Sequence, residues 1–409
     1  PFTYHVGPGP IRVKMHLKQD YQFRTIWDVI GRVRGSELPD EWVVLGNHRD
    51  AWVYGAVDPN SGTAAMLEAV HGVGELLKSG WKPKRTIVFG SWDGEEEGII
   101  GSTEWAEQHE AELANAVAYF NMDVAVSGAS FGASSVPSLK HFVSDVAKVV
   151  PSPKGGTVYD VWKKANQPGT QAPADSIGEM KRTPAAQGKL DVPVGDLGSG
   201  SDYTTFIQHL GVPATDITSS GSYGVYHSAF DNFTWFKRFA DPDFLYEQEM
   251  ARVFGIEVLR MADADVLPYD YEEYGKEVAV YIDAARKKAD AEFGAEQVVF
   301  LDAAQAARRF EQAGARILGK QANPGGDAAT LNRTLLAAER GLLIPEGLPK
   351  RPWFRHAIYA PGEYTGYAAV VIPGINEAID RHDAGQVREQ IAALAAALNR
   401  AAAGLEGRN

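Results

Sequence analysis

Five short segments of the chain carry side chains able to hold a metal ion or move a proton. His48 and Asp50 stand in Leu45-Gly46-Asn47-His48-Arg49-Asp50, and Asp58 in Val57-Asp58-Pro59-Asn60-Ser61-Gly62. Glu95 and Glu96 stand in Trp92-Asp93-Gly94-Glu95-Glu96-Glu97-Gly98, Asp123 in Asn121-Met122-Asp123, and His227 in Gly224-Val225-Tyr226-His227-Ser228. In an open α/β sheet, ligands bind outside the carboxyl ends of the strands, so these side chains converge if their strands are neighbours. Two histidines and three carboxylates, with Glu95 to spare, are too many for one catalytic zinc and suit two. One carboxylate would bridge the metals, and each metal would take one histidine and one further carboxylate. Paired metals clamp the attacking and leaving oxygens of a hydrolysis. Neutral imidazole and carboxylate favour zinc, with cobalt or manganese as substitutes.

The spare carboxylate has chemistry of its own. Glu95 adjoins a ligand, is free of metal, and lies within reach of an attacking water as a general base. Asp50 follows His48 by two positions, so on an extended strand end it faces the same way and would accept the second ring N–H of His48. Asp58 precedes a proline, which makes Asp58–Pro59 a candidate cis peptide.

Singly, each residue has a plainer reading. His48 alone would be structural, Glu95-Glu96-Glu97 alone a solvated helix start, and Asp123 alone a strand-end cap. The metal reading rests on their combination. His16, His71 and His109 keep the structural reading. Gly198-Ser199-Gly200 lacks the spacing of a nucleophile elbow, and neither a phosphate loop nor a dinucleotide fingerprint occurs.

The elements that must position these residues alternate between two periods. Ile11 to Lys18 alternates apolar with polar, the pattern of a half-exposed strand. Thr25–Val33, Trp42–Leu45, Arg85–Trp92 and Ala116–Met122 read as further strands, with weaker ones at Leu210–Ile217 and Phe230–Phe236. Helical spacing covers Gly62–Lys78 and Phe244–Met261. Strands separated by helices imply an α/β sheet with helices on its faces. The stretch 151–200 is rich in Gly, Pro, Lys and Ala and reads as a long functional or mobile loop. Beyond about residue 270 the chain turns to Ala-rich helix at 284–293, 302–318, 328–343 and 386–405. In the last of these, Val387, Ile391, Leu394, Leu398 and Leu405 form a stripe that would pack on neighbouring helices or a second subunit. Two domains are expected, 1–270 and 271–409.

Composition narrows the partners. The chain has 409 residues, 44% of them hydrophobic and 23% charged, as in an ordinary globular protein. Lysine and arginine number 40 against 53 acidic residues, a net charge of -13, which argues against nucleic acid as a partner. No apolar run reaches the ~18 residues of a membrane span. There are no cysteines, so thiolate is excluded as ligand or nucleophile. The start at Pro1-Phe2-Thr3 reads as that of a trimmed chain.

His-Arg-Asp, Val-Asp-Pro-Asn-Ser-Gly, Ser-Trp-Asp-Gly-Glu-Glu, Asn-Met-Asp and Tyr-His-Ser, in this order, resemble the M28 metallopeptidases, and most of all the glutamate carboxypeptidase II group. Val6–Pro10, Gly101–Glu107, Leu197–Asp202 and Arg351–Pro361 extend the similarity over nearly the whole chain. The resemblance implies a three-layer αβα mixed-sheet zinc-exopeptidase domain followed by a C-terminal helical, transferrin-receptor-like dimerisation domain, hence a homodimer. It implies Asp58 as the ligand bridging two Zn2+, His48 and Asp123 on one ion, and Glu96 and His227 on the other. Glu95 would be the general base, and Tyr226 would stabilise the developing oxyanion. Gly200, Ser201 and Tyr367 would line the substrate pocket. Glu104 and Glu107 match two carboxylates of a structural Ca2+ site in some relatives.

This group also has a protease-associated domain over the active site, which by the resemblance is expected to fall before Pro1, outside this sequence. Its Lys-Tyr pair matches Gly366-Tyr367 here, and its arginines fall in the cation-free Val212–Thr218. Strict glutamate specificity is therefore not expected. The expectation is a peptide-hydrolysing carboxypeptidase, with an aminopeptidase or a non-enzymatic transferrin-receptor-like binding protein as alternatives. The group is mostly secreted or membrane-anchored, implying an extracytoplasmic location: secreted, periplasmic or a membrane-anchored ectodomain.

Overall fold

The computed structural model of the chain describes residues 7–10, 12–167, 190–364, 366 and 368–407. Runs such as Trp42-Val43-Val44-Leu45 carry no polar interruption, as a strand covered on both faces requires. They become the centre of a sheet. Among the described residues β1 (Val29–Val33), β2 (Leu38–His48), β3 (Arg85–Trp92), β4 (Ala118–Asn121), β5 (Ser130–Ser135), β6 (Val194–Gly195) and β7 (Ala214–Ser220) form seven strands in the order β1-β3-β2-β4-β7-β5-β6. Strands β3, β2, β4 and β7 are parallel, β1 runs against β3, and β5, parallel to β6, runs against β7. The register sets His48 opposite Trp92, Gly46 opposite Asn121, and Asn121 opposite Asp216. The carboxyl ends of β2, β3 and β4 thus lie side by side.

Side-chain alternation assigns the two faces. On one, Trp92 and Tyr119 meet Trp105 of helix α2 (Ile100–Gln108) and Phe206, with ring centroids 5.1 Å apart for Trp92–Trp105 and 3.9 Å for Tyr119–Phe206. On the other face pack α1 (Asn60–Lys78), α4 (Lys140–Ala147) and α6 (Leu245–Asp263), α4 through a Phe120–Phe142 stack at 5.8 Å. Short helices α3 (Glu110–Leu113) and α5 (Val158–Ala165) also belong to this part. The mixed sheet between helical layers is the expected architecture. Val43, Val44, Leu45, Ile87, Val88 and Phe120 are fully buried, each burial stabilising by roughly 1.5–3 kcal/mol.

Two glycines let polar backbone approach the site. A Cβ on Gly46 would lie 2.1 Å from the Tyr119 hydroxyl. A Cβ on Gly62, at the start of α1, would lie 2.0 Å from the Met122 carbonyl oxygen. The N–H of Gly62 instead donates to the Asp123 carbonyl at 3.2 Å, which seats α1 against the end of β4.

The C-terminal part is helical: α7 (Tyr271–Phe293), α8 (Leu301–Ala322), α9 (Ala328–Gly341), α10 (Pro373–Asp380) and α11 (Ala384–Leu405), with a hairpin of β8 (Tyr359–Pro361) and β9 (Ala369–Val371). The predicted stripe of α11 is buried, and α11 packs on α8 and α9 of the same chain. A buried polar seam joins the two parts. Lys140 Nζ donates to Asp196 at 3.1 Å and to Glu277 of α7 at 2.6 Å, and the Tyr281 hydroxyl donates to Asp196 at 2.7 Å. No helix among the described residues is long and apolar enough to cross a membrane.

Several sequence expectations are corrected. The alternating segment near the N-terminus, of which Ile11 lies outside the described residues, is not a strand. Val13, Met15 and Leu17 are 84%, 74% and 67% exposed, and no described strand lies beside them. Alternation makes a strand only where the backbone finds a pairing edge. The Thr25–Val33 strand begins only at Val29. Phe230–Phe236 is helical turn from Phe233, because the Asn232 side chain accepts the Trp235 N–H at 3.1 Å and caps it. The stretch 151–200 contains α5, started by a reciprocal Thr157–Asp160 capping box. Strands β5 and β6 escaped notice because their Ser-, Gly- and Ala-rich sequence lacks a strong apolar signal.

Gly62→Ala should destabilise the chain by roughly 1–3 kcal/mol, since the new methyl meets backbone that cannot yield. A thermal unfolding curve superimposing on that of the wild type would contradict this packing.

Candidate metal centre

The centre forms where β2, β3 and β4 run out. His48 ends β2 and is buried. Its Nδ1 lies 3.0 Å from the backbone carbonyl of Asp50, and its Nε2 lies 3.2 Å from Asp58 Oδ1. An Nδ1–H donated to that carbonyl leaves Nε2 as the ligating nitrogen. The Asp50 carboxylate also faces Nδ1, with Oδ1 3.6 Å away. Its two oxygens also accept the backbone N–H groups of Glu95 at 3.1 Å and Glu96 at 3.0 Å. Asp50 thereby ties the end of β2 to the turn after β3.

Asp58 sits between the histidines. Oδ1 faces His48, while Oδ2 lies 3.3 Å from Nε2 of His227. The Asp58–Pro59 peptide is cis, as expected. The carboxylate of Asp231 accepts the N–H groups of Val57 at 2.9 Å and Asp58 at 3.2 Å, and the Tyr223 hydroxyl at 2.6 Å. Sequence reasoning missed Asp231. Its only signal was a lone acid in the aromatic segment Phe230–Phe233.

Glu96 Oε2 lies 3.1 Å from His227 Nε2. His48, Asp58 and Glu96 each offer a ligand atom, and these atoms all lie within 4.8 Å of one another. Glu95 Oε2 is 3.8 Å from His48 Nε2. The turn holding both glutamates is locked by Ile99 N–H to Glu95 O at 2.7 Å and Gly98 N–H to Glu95 O at 2.9 Å. These bonds hold Ile99 at φ 58°, a region a β-branched residue rarely enters.

Asp123 closes the cleft from below β4. A hydrogen-bond chain holds it. Trp92 Nε1–H donates to the Tyr119 hydroxyl at 3.0 Å, Tyr119 to Asn121 Oδ1 at 3.1 Å, and Asn121 Nδ2 to Ser201 Oγ at 2.8 Å. The Ser201 hydroxyl donates to Asp123 Oδ2. Ser201 is therefore fully buried beneath Asp123, which corrects its expected place in a substrate pocket. Gly200 does line the cleft, with Tyr226, whose ring stacks on His227 at 3.6 Å. Tyr367 lies outside the described residues. Glu104 and Glu107 are exposed on α2, and Glu107 accepts the Trp353 indole N–H at 2.6 Å. Among the described residues no third ligand joins them.

The donor set fits cations better than it fits itself. Glu96 Oε1, Asp123 Oδ1 and His227 Nε2 are buried without a hydrogen-bond partner. His227 Nε2 stands 3.3 Å from Asp58 Oδ2 and 3.1 Å from Glu96 Oε2, close enough for the three atoms to share one cation. Burial pushes Glu95 well above the usual carboxylate range against the pull of His48, and the charges of Asp202, Asp123 and Asp58 add to the rise. Burial opposes charge on His227, but Asp58 and Glu96 outweigh it and push it up to about 9. Burial likewise opposes charge on His48, and Asp50 and Asp58 outweigh it. Four carboxylates around two imidazoles thus concentrate negative potential that only added positive charge relieves.

The family profile described as Peptidase family M28 matches residues 28–238, and that described as Transferrin receptor-like dimerisation domain matches 297–406. The chain is 38% identical to "Probable glutamate carboxypeptidase LAMP1" of Arabidopsis thaliana, over 92% of this chain and 52% of that protein. It is 36% identical to "Probable glutamate carboxypeptidase VP8" of Zea mays, over 96% and 53%. It is 33% identical to "Aminopeptidase NAALADL1" of Mus musculus, over 88% and 50%. The chain spans about half the length of the curated relatives it matches.

Binding a cation requires both imidazoles neutral, and both are held protonated above the ordinary histidine range, so binding must displace protons. Zinc affinity should therefore rise from about pH 6 to about pH 8, by roughly tenfold per unit for each proton displaced. Competition against a chelator across that range measures the slope. A flat profile would remove His48 and His227 from the ligand set.

Proposed function

The chain belongs to peptidase family M28, and from that premise we propose that it is a zinc-dependent exopeptidase of small peptides. The observation that carries the reading is the Asp58 carboxylate, shared between His48 and His227 at 3.2 and 3.3 Å, beside buried ligand atoms that lack partners. We assign His48 and Asp123 to one ion, Glu96 and His227 to a second, and Asp58 to both. Two such ions, when bound, supply Lewis acidity that activates a water and polarises the scissile carbonyl.

The chain's own residues do the rest. Glu95 Oε2 takes a proton from the attacking water and returns it to the leaving amine nitrogen, so that water and peptide give a carboxylate and an amine. The Tyr226 hydroxyl donates to the carbonyl oxygen as negative charge develops there. Asp50 and Asp231 keep the ligands oriented without touching substrate.

The names of the relatives favour a carboxypeptidase. A second reading, an aminopeptidase, is favoured by the cleft itself. Its described lining holds no lysine or arginine to grip a terminal carboxylate. We also divide the chain at residue 270, since α6 lies on the sheet and α7 packs with α8 in the helical part. That helical part, 271–409, is read as the seat of a homodimer.

Glu95→Gln should retain zinc and lose about 10²–10⁴-fold in kcat. Metal analysis and turnover of N-blocked and C-blocked peptides test this together. Full activity in the variant would remove Glu95 as the base, and a zinc-loaded wild type that cleaves no peptide would end the peptidase reading. The pattern of tolerated blocking groups separates the two exopeptidase readings. Sedimentation at micromolar concentration should give twice the chain mass, and a single-chain mass would reject the homodimer.

A further inference from the structure

The walls of the metal cleft differ in chemistry from its floor. The floor is His, Asp and Glu; above it stand Trp52, Ile99, Val124 and Tyr226, around a space of about 300 Å³. Trp52 is the unusual member. It lies on the loop between β2 and Asp58, only four residues past His48, yet its indole is 54% exposed. Its ring centroid is 6.1 Å from that of His227, with the planes tilted by 59°.

The loop is not slack. Asn60 Nδ2 donates to Tyr54 O at 3.0 Å, Asn60 N–H to Gly55 O at 2.9 Å, and Ala56 N–H to Asp231 O at 3.3 Å. A large apolar side chain thus stands open to solvent at the mouth of a charged cleft, on a loop whose far end is tied down. Tryptophan is rarely left so open, and a rigid aromatic face beside a polar centre is a common anchor for an apolar group.

We propose that Trp52 is the specificity-determining wall of the cleft and that the preferred substrates are peptides with a large apolar or aromatic side chain beside the scissile bond. The proposal rests on the exopeptidase reading and adds the substrate class to it. The side chain stacks on the indole while the carbonyl beside it reaches the floor. An acidic side chain in the same place meets Asp58, Glu95, Glu96 and Asp123 and, among the described lining residues, no lysine or arginine. A glycyl residue leaves the indole in water.

The test compares kcat/KM for Phe-Ala against Gly-Ala, and for Ala-Phe against Ala-Gly, with zinc-loaded wild type, Trp52→Ala and Trp52→Phe. The wild type should prefer phenylalanine on one side of the bond. Trp52→Ala should lower that preference ratio about tenfold, the size of one aromatic pair, and Trp52→Phe should restore most of it. The ratio separates recognition from mere damage to the fold, which lowers both members of a pair alike. An unchanged ratio in Trp52→Ala, an equal loss on both peptides, or a wild type that prefers phenylalanine on neither side of the bond would overturn the proposal and leave the peptidase reading standing. No cleavage of any of the four by the zinc-loaded wild type would overturn both.

Discussion

One carboxylate faces two imidazoles, and the edge of the sheet is built to keep it there. Asp58 cannot hold that position by itself. A buried acid among other acids would protonate or swing away, since like charges in a water-poor cleft repel strongly. Its backbone is gripped by Asp231 through two N–H donors, and Tyr223 fixes Asp231 in turn. Burial works to raise the pKa of Asp58, but the histidines outweigh it and hold the group below the ordinary carboxylate range. Geometry and electrostatics therefore point to the same state, an ionised carboxylate with an oxygen for each neighbour.

The interior of the sheet serves the same end. Polar residues inside a parallel sheet are costly unless each finds a partner. Trp92, Tyr119, Asn121 and Ser201 find theirs in one another, and their chain ends on Asp123. Such chains polarise along their length, so the final acceptor is held more firmly than by an isolated serine. Gly46 makes the chain possible, because any side chain there would strike the Tyr119 hydroxyl. On the opposite face Asn47 reaches the Met122 carbonyl at 3.0 Å, and Gly62 lets α1 close on the same turn.

The helical part bears on the cleft at a distance. Lys140, Asp196, Glu277 and Tyr281 form a buried cluster at the start of the segment that carries Gly200 and Ser201. The Ser199 hydroxyl donates to the Gly366 carbonyl at 3.1 Å. Buried ion pairs add little net stability, and their best-attested use is to fix register. The stripe on α11 is spent inside the bundle, against α8 and α9 of the same chain.

Much of this was legible in the sequence because it is written locally. The period of Arg85–Trp92 and of α11 is set by neighbouring residues, and so is the absence of cysteine. The types of donor, two histidines among carboxylates at strand ends, follow from the residues alone. Other features depended on residues far apart in the chain. The alternation before Val29 promised a strand, but pairing needs an edge that local pattern cannot supply. Ser201 read as a lining residue and lies buried, because its orientation is set by Asn121 and Asp123, about 80 residues earlier. Asp50 read as a partner of His48 alone, but its carboxylate also takes the N–H groups of Glu95 and Glu96, about 45 residues later. Composition and spacing thus determined which ligands exist and on which elements they stand. Only the strand order β3-β2-β4-β7 decided which oxygen meets which nitrogen, because the geometry of a site is set by distances across the sheet, and those are not encoded in any one segment.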